Sequence, residues 1–414
     1  MGKYFSDVVE QGIADIYYCY DKERAAAALQ PLINAAAAGD GDAAYLVSRC
    51  LSGPQYSWTY HTFQENDEGV EYYIRQSIRN GSAIGVLGSM RCGMLTPEME
   101  AIMPFDSIQD AWNVVLEKAE NGSQFCQNMI GNTYFWLDIV RIEGKDADSF
   151  PNKKAFASYL RECTLACIPW FEKAFRNGMG FAGRNLYNLY KSGEEGLVEP
   201  QPEKADEVEQ LGASLGYPDW QEQYGKRLLK TKGKEQEGLA LCEAAAAKGQ
   251  LSAWYSVANA YKQGKIVPKD LQRAMAYCEK GLEDPKAIGC ANIAGEMYYL
   301  GKDGIAQDYA KAVELFERAH RQNNDWGNDM LGTCYLFGYG CEKNPVRARE
   351  LFEEADYTSE LIQYGLGLIY ADGLGVKEDI KKGVEYLQKA KDYAPAQEAL
   401  RRFKKTMFGK WVRK

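Results

Sequence analysis

Side chains that could carry out acid–base or nucleophilic chemistry are few in this sequence and lie far apart. The chain of 414 residues contains two histidines, His61 and His320, and neither belongs to a recognisable catalytic motif. Histidine is the usual general base near neutral pH, because its pKa lies in that range. This scarcity argues against a catalytic triad and against metallohydrolase chemistry. A mechanism based on carboxylates or lysine stays open.

The eleven cysteines are also poorly arranged for chemistry. There is no CxxC pair, and the nearest neighbours are Cys163 with Cys167 and Cys334 with Cys341. Zinc sites need grouped ligands, so we expect small buried thiols rather than metal ligands. The sequence predicts neither a metal nor an organic cofactor.

The composition is that of a globular chain. Hydrophobic residues make up 46% and charged residues 26% of the sequence. No apolar run approaches the roughly 18 residues that a membrane-spanning helix needs. The N-terminal sequence has no apolar core with a small-residue cleavage site, so a secretory signal is not expected. We therefore expect a cytoplasmic protein.

A repeated pattern shows how the remaining residues are positioned. Tyr298, Tyr335 and Tyr370 are spaced 37 and 35 residues apart, and each has a glycine three residues before it and another three residues after it. We term these tyrosines and their equivalents the signature positions. Earlier equivalents are Tyr134, Tyr190 and Tyr261, with Cys50, Arg91 and Leu228 as degenerate versions.

A second pattern follows each signature tyrosine. It consists of Asp or Asn, then Lys or Arg three residues later, then apolar residues at helical spacing. It begins at Asp270, Asp308, Asn344 and Asp379. Asp or Asn at this place is typical of a helix N-cap, and the glycine after the tyrosine is typical of a left-handed C-cap. The two patterns predict a first and a second helix joined by a short loop.

Such helix pairs must stack, because one pair cannot bury both of its apolar faces. The small residue three before the tyrosine lets the second helix approach closely. The alternating pattern typical of strands is absent. The predicted fold is therefore all-α, a right-handed α/α solenoid of stacked helix-turn-helix repeats.

The repeat resembles the Sel-1-like repeat, a relative of the tetratricopeptide repeat. Its motif LG-x-x-Y-x-x-G-x-G-V is almost complete from Leu366 to Val376. We predict degenerate helical repeats at 1–120, middle repeats with loop inserts at 121–250, well-formed repeats at 251–395, and a basic amphipathic capping helix at 396–414. Loop inserts are predicted at 54–67, 94–107, 137–165 and 194–203.

One face of the first helices carries a row of mostly polar side chains. Positions six and two residues before a signature position are neighbours on this face. The resemblance implies that the face lines a concave groove, where asparagine can both donate to and accept from an extended peptide. The alternative is that these are ordinary solvated positions. The predicted protein-binding groove contains Asn128, Asn132, Arg184, Asn188, Tyr255, Asn259, Asn292, Glu296, Asp329, Thr333 and Tyr364.

The last residues differ in charge from the rest of the chain. Residues 400–414 contain seven basic side chains and no acidic one. Leu400, Phe403, Met407 and Trp411 recur at helical spacing, which predicts an amphipathic helix. We expect this helix to cover the last repeat. Binding to anionic lipid or nucleic acid is the alternative.

The predicted function is a non-catalytic scaffold or adaptor that binds a protein or an extended peptide along the concave face. One alternative is a regulatory or immunity-type protein that neutralises a single tight protein partner. Another is an enzyme with a carboxylate-based site in the loop inserts. Neither a nucleic acid nor a membrane is expected as a partner, and the chain is predicted to be a monomer or a weak dimer.

Overall fold

The computed structural model describes residues 4–52, 63–194 and 196–414. His61 and most of the insert predicted at 54–67 lie outside the described residues. The chain divides into two compact units, one comprising residues 1–224 and 247–249 and the other residues 225–246 and 250–414. Within the described residues the fold is an all-α, α/α solenoid, with one small β-hairpin near residue 414.

Helices of the first unit form pairs in chain order. The first helices of the pairs are α1 (Asp7–Ile13, continued by a π-helical turn at Ala14–Tyr18), α3 (Gly41–Leu51), α5 (Ala83–Arg91), α8 (Gln124–Phe135) and α11 (Ala182–Ser192). The second helices are α2 (Lys22–Ala37), α4 (Asp67–Arg79), α7 (Ile108–Glu120), α10 (Lys153–Arg176) and α12 (Pro202–Ser214). The connections contain α6 (Pro97–Glu100), α9 (Ile139–Ile142) and a 3-10 turn at Ala147–Ser149.

The second unit continues the same alternation. Helix α13 (Pro218–Leu228) contains residue 225, where this unit begins, and α14 (Glu235–Ala247) follows it. The first helices are then α15 (Leu251–Gln263), α17 (Ile288–Leu300), α19 (Asn328–Phe337), α21 (Glu360–Asp372) and α23 (Ala394–Leu400). The second helices are α16 (Leu271–Leu282), α18 (Tyr309–His320), α20 (Pro345–Glu354) and α22 (Ile380–Lys389). Strands β1 (Phe403–Lys405) and β2 (Trp411–Arg413) pair antiparallel.

The helix ends of the second unit form where the sequence predicts them. The N-cap side chains accept the backbone N–H three residues on, at 2.9–3.0 Å, and these caps are Asp270, Asp308, Asn344 and Asp379. The N–H of each cap donates to the carbonyl oxygen of the preceding signature tyrosine, at 2.7–3.0 Å. Gly338, three residues after Tyr335, ends α19 with a left-handed φ of +80°. These bonds explain the almost constant loop between the two helices of each pair.

A large side chain of the second helix is held between two first helices. Phe352 of α20 lies against Gly332 of α19 and Gly365 of α21, and a Cβ atom at either glycine would overlap its ring. Phe316 of α18 packs in the same way, since a Cβ at Gly295 of α17 would lie 2.8 Å from its ring carbon Cε1. The small residue before the signature tyrosine therefore allows the close approach that the sequence predicts.

The signature tyrosines also join each pair to the one before it. Tyr335 Oη donates to Glu317 Oε1 of α18 at 3.0 Å, and Tyr370 Oη donates to Glu353 Oε1 of α20 at 3.0 Å. Burial and the carboxylate acceptor raise the pKa of Tyr335 to about 12. Lys382 Nζ lies 3.6 Å from the centroid of the Tyr370 ring. The Lys or Arg of the second pattern thus covers a signature tyrosine.

The prediction of a helix at 396–414 is wrong beyond Leu400. Helix α23 ends there, and the chain continues into the β1–β2 hairpin. Gly409 adopts φ +78° in the turn between the strands, a conformation that a helix does not contain. Arg413 donates to the carbonyl oxygen of Ala371 at 2.6 Å, which ties β2 to α21. Tertiary contacts and the glycine turn therefore override the helical spacing.

The insert predicted as a loop at 137–165 is helical in its second half. Helix α10 begins at Lys153, and Asn152 Oδ1 accepts the N–H of Ala155 at 3.0 Å as its N-cap. The cap signal is present in the sequence, but a 24-residue second helix is longer than the repeat pattern indicates. The insert extends α10 at its N-terminal end.

Cysteine burial agrees with the expectation of structural thiols. Eight of the eleven cysteines are buried, and Cys92 is the exposed one. Desolvation raises the pKa of the Cys50 thiol to about 12. A thiol with a raised pKa holds little of the nucleophilic thiolate at neutral pH.

We predict that Gly332→Ala destabilises the second unit by about 1–3 kcal/mol, because the added methyl group overlaps the Phe352 ring. An alanine in a helix without such a neighbour would gain about 1 kcal/mol over glycine. The free energy of unfolding from urea titration is the measurement. In the double variant Gly332→Ala/Phe352→Leu, the loss should be smaller than the sum of the two single losses. Additive losses would contradict the packing described for this ring.

Candidate protein-binding face

The predicted groove residues lie on α8 and α11 in the first unit and on α15, α17, α19 and α21 in the second. We term the surface formed by positions six and two before each signature tyrosine the first-helix face. Two of the eleven residues are exposed, Asn188 and Tyr255. Five are half-buried, namely Asn132, Arg184, Asn259, Glu296 and Tyr364. Four are buried, namely Asn128, Asn292, Asp329 and Thr333.

In the first unit these side chains bond to the neighbouring first helix. Asn185 Nδ2 on α11 donates to Asn132 Oδ1 on α8 at 2.8 Å. Arg184 donates from Nη1 to Gln223 Oε1 at 2.7 Å and from Nη2 to Asp219 Oδ2 at 3.0 Å. Both acceptors lie on α13. The polar row of the first-helix face therefore links successive repeats.

Asn128 and Asn132 line a small cavity of about 80 Å³ between α3, α5 and α8. Tyr45 and Gly88 form part of its wall. The Asn128 Oδ1 atom is buried and accepts no hydrogen bond from the described residues. A buried amide oxygen without a donor is destabilising, so a hydrogen-bond donor would be stabilised at this point.

In the second unit the same face carries buried and partly buried bonds. Lys262 on α15 forms an ion pair with Glu296 on α17. Asn292 Nδ2 on α17 donates to Asn324 Oδ1, which precedes α19, at 2.7 Å. Only 3% of Asn292 is exposed. The side-chain amide nitrogen of Asn292 therefore bonds one repeat to the next.

Asp329 and Thr333 on α19 have a similar environment. Thr333 Oγ1 donates to the carbonyl oxygen of Asp329 at 2.7 Å. Tyr357, which precedes α21, donates to the carbonyl oxygen of Trp326 at 2.8 Å and accepts the N–H of Asp329 at 3.4 Å. Burial raises the pKa of the Asp329 carboxyl group. These residues, too, connect two repeats.

Three predicted residues keep more accessible surface. Asn188 on α11 is exposed, and Tyr255 on α15 is 39% exposed. Asn259 Oδ1 accepts a hydrogen bond from Gln263 Nε2 of its own helix at 3.1 Å. The sequence did not separate these three from the buried ones, because the bonding partners lie 32–53 residues away and belong to neither repeat pattern.

The second unit has an open cleft of about 700 Å³ at the ends of α19, α21 and α23. Phe337 of α19, Tyr364 and Leu368 of α21, and Ala399 of α23 form its apolar lining. Its charged lining residues are Lys343, Asp372, Glu398, Arg401 and Arg402. Tyr364 is thus the predicted groove residue that lies in this cleft.

Aromatic rings form a continuous row, and two of them, Phe337 and Tyr364, line the cleft. Successive ring centroids are 4.9–6.2 Å apart. This aromatic row consists of Tyr299, Tyr309, Tyr339, Phe337, Tyr364 and Tyr393. Phe337 is 36% exposed and Tyr339 is 38% exposed. Two stacked aromatic side chains therefore reach solvent beside the cleft.

Within the described residues, His320 is the histidine, and histidine is the usual general base near neutral pH. Both ring nitrogens of His320 have hydrogen-bond partners: Nδ1 lies 3.1 Å from Asn328 Oδ1, and Nε2 lies 2.8 Å from Arg347 Nη2. Across residues 4–52, 63–194 and 196–414, no three His, Cys, Asp or Glu side chains are grouped so as to hold a metal ion. The helices of these residues include none with the length and apolar character needed to cross a membrane.

Four segments of the second unit match the family described as Sel1 repeat, at residues 252–284, 287–324, 328–355 and 363–392. Each segment covers the first and second helices of one pair. The second unit therefore contains four Sel1 repeats. They fall within the region where the sequence pattern is strongest, and the predicted resemblance is confirmed.

One curated relative matches a short stretch of this chain. The ERAD-associated E3 ubiquitin-protein ligase component HRD3B of Arabidopsis thaliana is 38% identical over 89 residues. That match covers 21% of this chain and 14% of HRD3B, so the chain matches only a small part of the length of HRD3B.

Two solved structures are similar over most of the chain. One is c5321, a protective antigen of uropathogenic Escherichia coli with an SLR fold, at TM-score 0.52 and 21% identity, covering 91% of this chain and 74% of that one. The other is a Sel1 repeat protein from Oxalobacter formigenes, at TM-score 0.46 and 18% identity, covering 97% and 96%. The similarity to c5321 shows a shared fold.

Phe337, Tyr339 and Tyr393 were missed by the sequence prediction of the groove. A signal exists for the first two, because they lie two and four residues after the signature tyrosine Tyr335. Counting only the positions before the tyrosine in each Sel1 repeat left them out. Tyr393 lies just before α23, where the repeat pattern ends.

We predict that Asn292→Ala lowers the free energy of unfolding by about 1–3 kcal/mol, because it removes a buried hydrogen bond and leaves Asn324 without that donor. The matched change Asn188→Ala at an exposed helix position should stay within about 0.5 kcal/mol. Urea titration of both variants measures the difference. Equal losses would show that burial on the first-helix face does not distinguish these two residues.

Proposed function

We propose that this Sel1 repeat protein is a non-catalytic scaffold or adaptor that binds a protein or an extended peptide along the first-helix face. The single observation that carries the proposal is the cleft between α19, α21 and α23, with exposed aromatic rings beside it. Aromatic side chains supply much of the binding energy at protein interfaces. A groove with an aromatic wall and a polar rim suits a peptide chain.

Mixed charges around the cleft support a peptide ligand over a purely apolar one. Arg402 is paired with Asp372, whereas Lys343, Glu398 and Arg401 contribute both signs of charge. A peptide backbone and its side chains offer donors, acceptors and charges to such a rim. The apolar floor would bind one or two anchor side chains of the ligand.

The predicted groove residues take different roles in this proposal. Tyr364 is placed at the cleft, and Asn188, Tyr255 and Asn259 retain accessible surface for hydrogen bonds or stacking. The buried members hold successive first helices together and thereby set the spacing of the accessible ones. We propose that the face is concave, as in the arrays that the sequence resembles.

The comparisons agree with a protein partner. HRD3B is, by its name, a component of a ubiquitin-ligase assembly, and Sel1 repeats are typical of proteins that bind other proteins. The limited coverage of that relative means that its partners do not transfer to this chain. We further propose that the protein acts in the cytoplasm as a monomer or weak dimer.

The proposal is tested with the double variant Phe337→Ser/Tyr339→Ser, since both side chains are more than one third exposed. Proteins captured from the native cell by the full chain are identified by mass spectrometry, and their affinity is measured with the purified partner. We expect the double variant to weaken binding about tenfold or more, because two aromatic contacts are removed.

The matched control is Tyr72→Ser, which removes a 57% exposed tyrosine on the second helix α4. It should retain the same partner with unchanged affinity. Thermal unfolding of both variants shows whether each is folded. Retention of all partners by the folded double variant would contradict binding at the cleft.

A further inference from the structure

The β1–β2 hairpin has an ordered tip. The N–H of Thr406 donates to the carbonyl oxygen of Lys410 at 2.8 Å, and the N–H of Gly409 donates to the carbonyl oxygen of Thr406 at 2.9 Å. Gly409 adopts φ +78°. This is a tight loop with glycine in the left-handed position, a common way to close a short hairpin. Met407 and Phe408 occupy the two corners of the turn.

The two corner residues are almost fully exposed. Met407 is 92% and Phe408 is 91% exposed, against 57% or less for the other exposed large hydrophobic side chains in the described residues. Turn corners usually carry Gly, Pro, Asn, Asp or Ser, because these residues suit the backbone of the turn. Neither apolar side chain contributes to the core. The hairpin therefore presents adjacent apolar side chains to its surroundings on a fixed backbone.

Lysines surround this apolar tip, while the arginines anchor its base. Arg402 pairs with Asp372, and Arg413 pairs with Asp372 and with Glu378. The exposed Lys404, Lys405 and Lys410 form no ion pair within the described part of the chain.

The neighbouring carboxylates balance the charge of the lysines only in part. Lys405 and Lys410 share a cleft with Glu378, Asp379 and Glu385. Of these, Glu378 is bound by Arg413, and Asp379 accepts the N–H of Lys382 as the N-cap of α22. Asp379 nevertheless keeps its negative charge, as does Glu385, so these two carboxylates share the cleft with three lysines, Lys381, Lys405 and Lys410. The hairpin thus keeps an excess of positive charge close to its apolar tip.

We propose that this hairpin docks the protein onto a bilayer surface that contains anionic phospholipids. Lys405 and Lys410 are two residues from Met407 and Phe408 respectively, so at most about 7 Å of backbone separates each lysine from its apolar neighbour. Apolar side chains of interfacial segments enter the headgroup and acyl boundary by about 5–10 Å. The lysines would therefore lie at phosphate depth when the tip is immersed. This inference goes beyond the proposed binding of a protein and does not depend on it.

Nucleic acid fits the hairpin less well. Single-stranded nucleic acid is bound by aromatic rings that stack on successive bases along a basic groove. Trp411 is covered by Lys405, whose Nζ lies 5.2 Å from the ring centroid, which leaves Phe408 as the exposed ring at the tip. At a membrane interface, the two adjacent apolar side chains would enter the acyl region and the lysines would lie among the phosphate groups.

The test measures co-sedimentation of the full chain with vesicles of phosphatidylcholine alone and of phosphatidylcholine with phosphatidylserine. We expect binding to the anionic vesicles only, and loss of binding at about 1 M salt, where the Debye length is about 3 Å. The variant Met407→Ser/Phe408→Ser should lower the partition coefficient about tenfold or more. Lys405→Gln/Lys410→Gln should lower it about tenfold.

Tyr72→Ser is the control for removal of an exposed apolar ring and should bind the vesicles as the unaltered chain does. Thermal unfolding of each variant verifies that the fold is intact. A single-stranded oligonucleotide is titrated in parallel. The proposal is overturned if the chain binds no anionic vesicle, if the tip variant binds them unchanged, or if the oligonucleotide alone is bound. Equal binding to neutral and anionic vesicles would also overturn it.

Discussion

The packing of a second-helix aromatic ring against glycine is the constraint on which the best-formed repeats depend. Phe352 lies between Gly332 of its own pair and Gly365 of the next, so one ring sets both the distance within a pair and the distance to its neighbour. Phe316 repeats the arrangement against Gly295. A protein interior is close-packed, and an added methyl group at these glycines has no room. Stacking of the Sel1 repeats follows from this fit.

Hydrogen bonds between polar side chains also hold consecutive helix pairs together. The signature tyrosine Tyr335 donates to Glu317 of the previous pair, and Asn292 bonds to Asn324 ahead of the next first helix. Both bonds join consecutive pairs, and their burial makes them costly to break. The first-helix face is consequently divided between residues that hold the repeats together and residues that remain accessible. Asn188, Tyr255 and Asn259 keep accessible surface on this face, whereas Tyr364 lies in the cleft.

The hairpin after α23 differs from the repeats in both structure and charge. Arg413 ties it to Asp372 and to the carbonyl oxygen of Ala371, so its base is part of the last repeat. The tip carries no such contacts, and its apolar corners Met407 and Phe408 are exposed to solvent. An exposed apolar tip on an anchored base supports the membrane contact that we propose.

The sequence by itself determined the repeat. Tyrosine spacing, N-cap residues such as Asp308 and the glycine at 338 predicted the helix pairs and their stacking, because these signals act within a few residues of one another. Only the tertiary structure decided which first-helix residues are accessible, since the partners of Asn132 and Asn292 come from other repeats. It also decided that Phe403 begins a strand and not another helical turn. Helical spacing is a local signal, and contacts made across the fold overrode it.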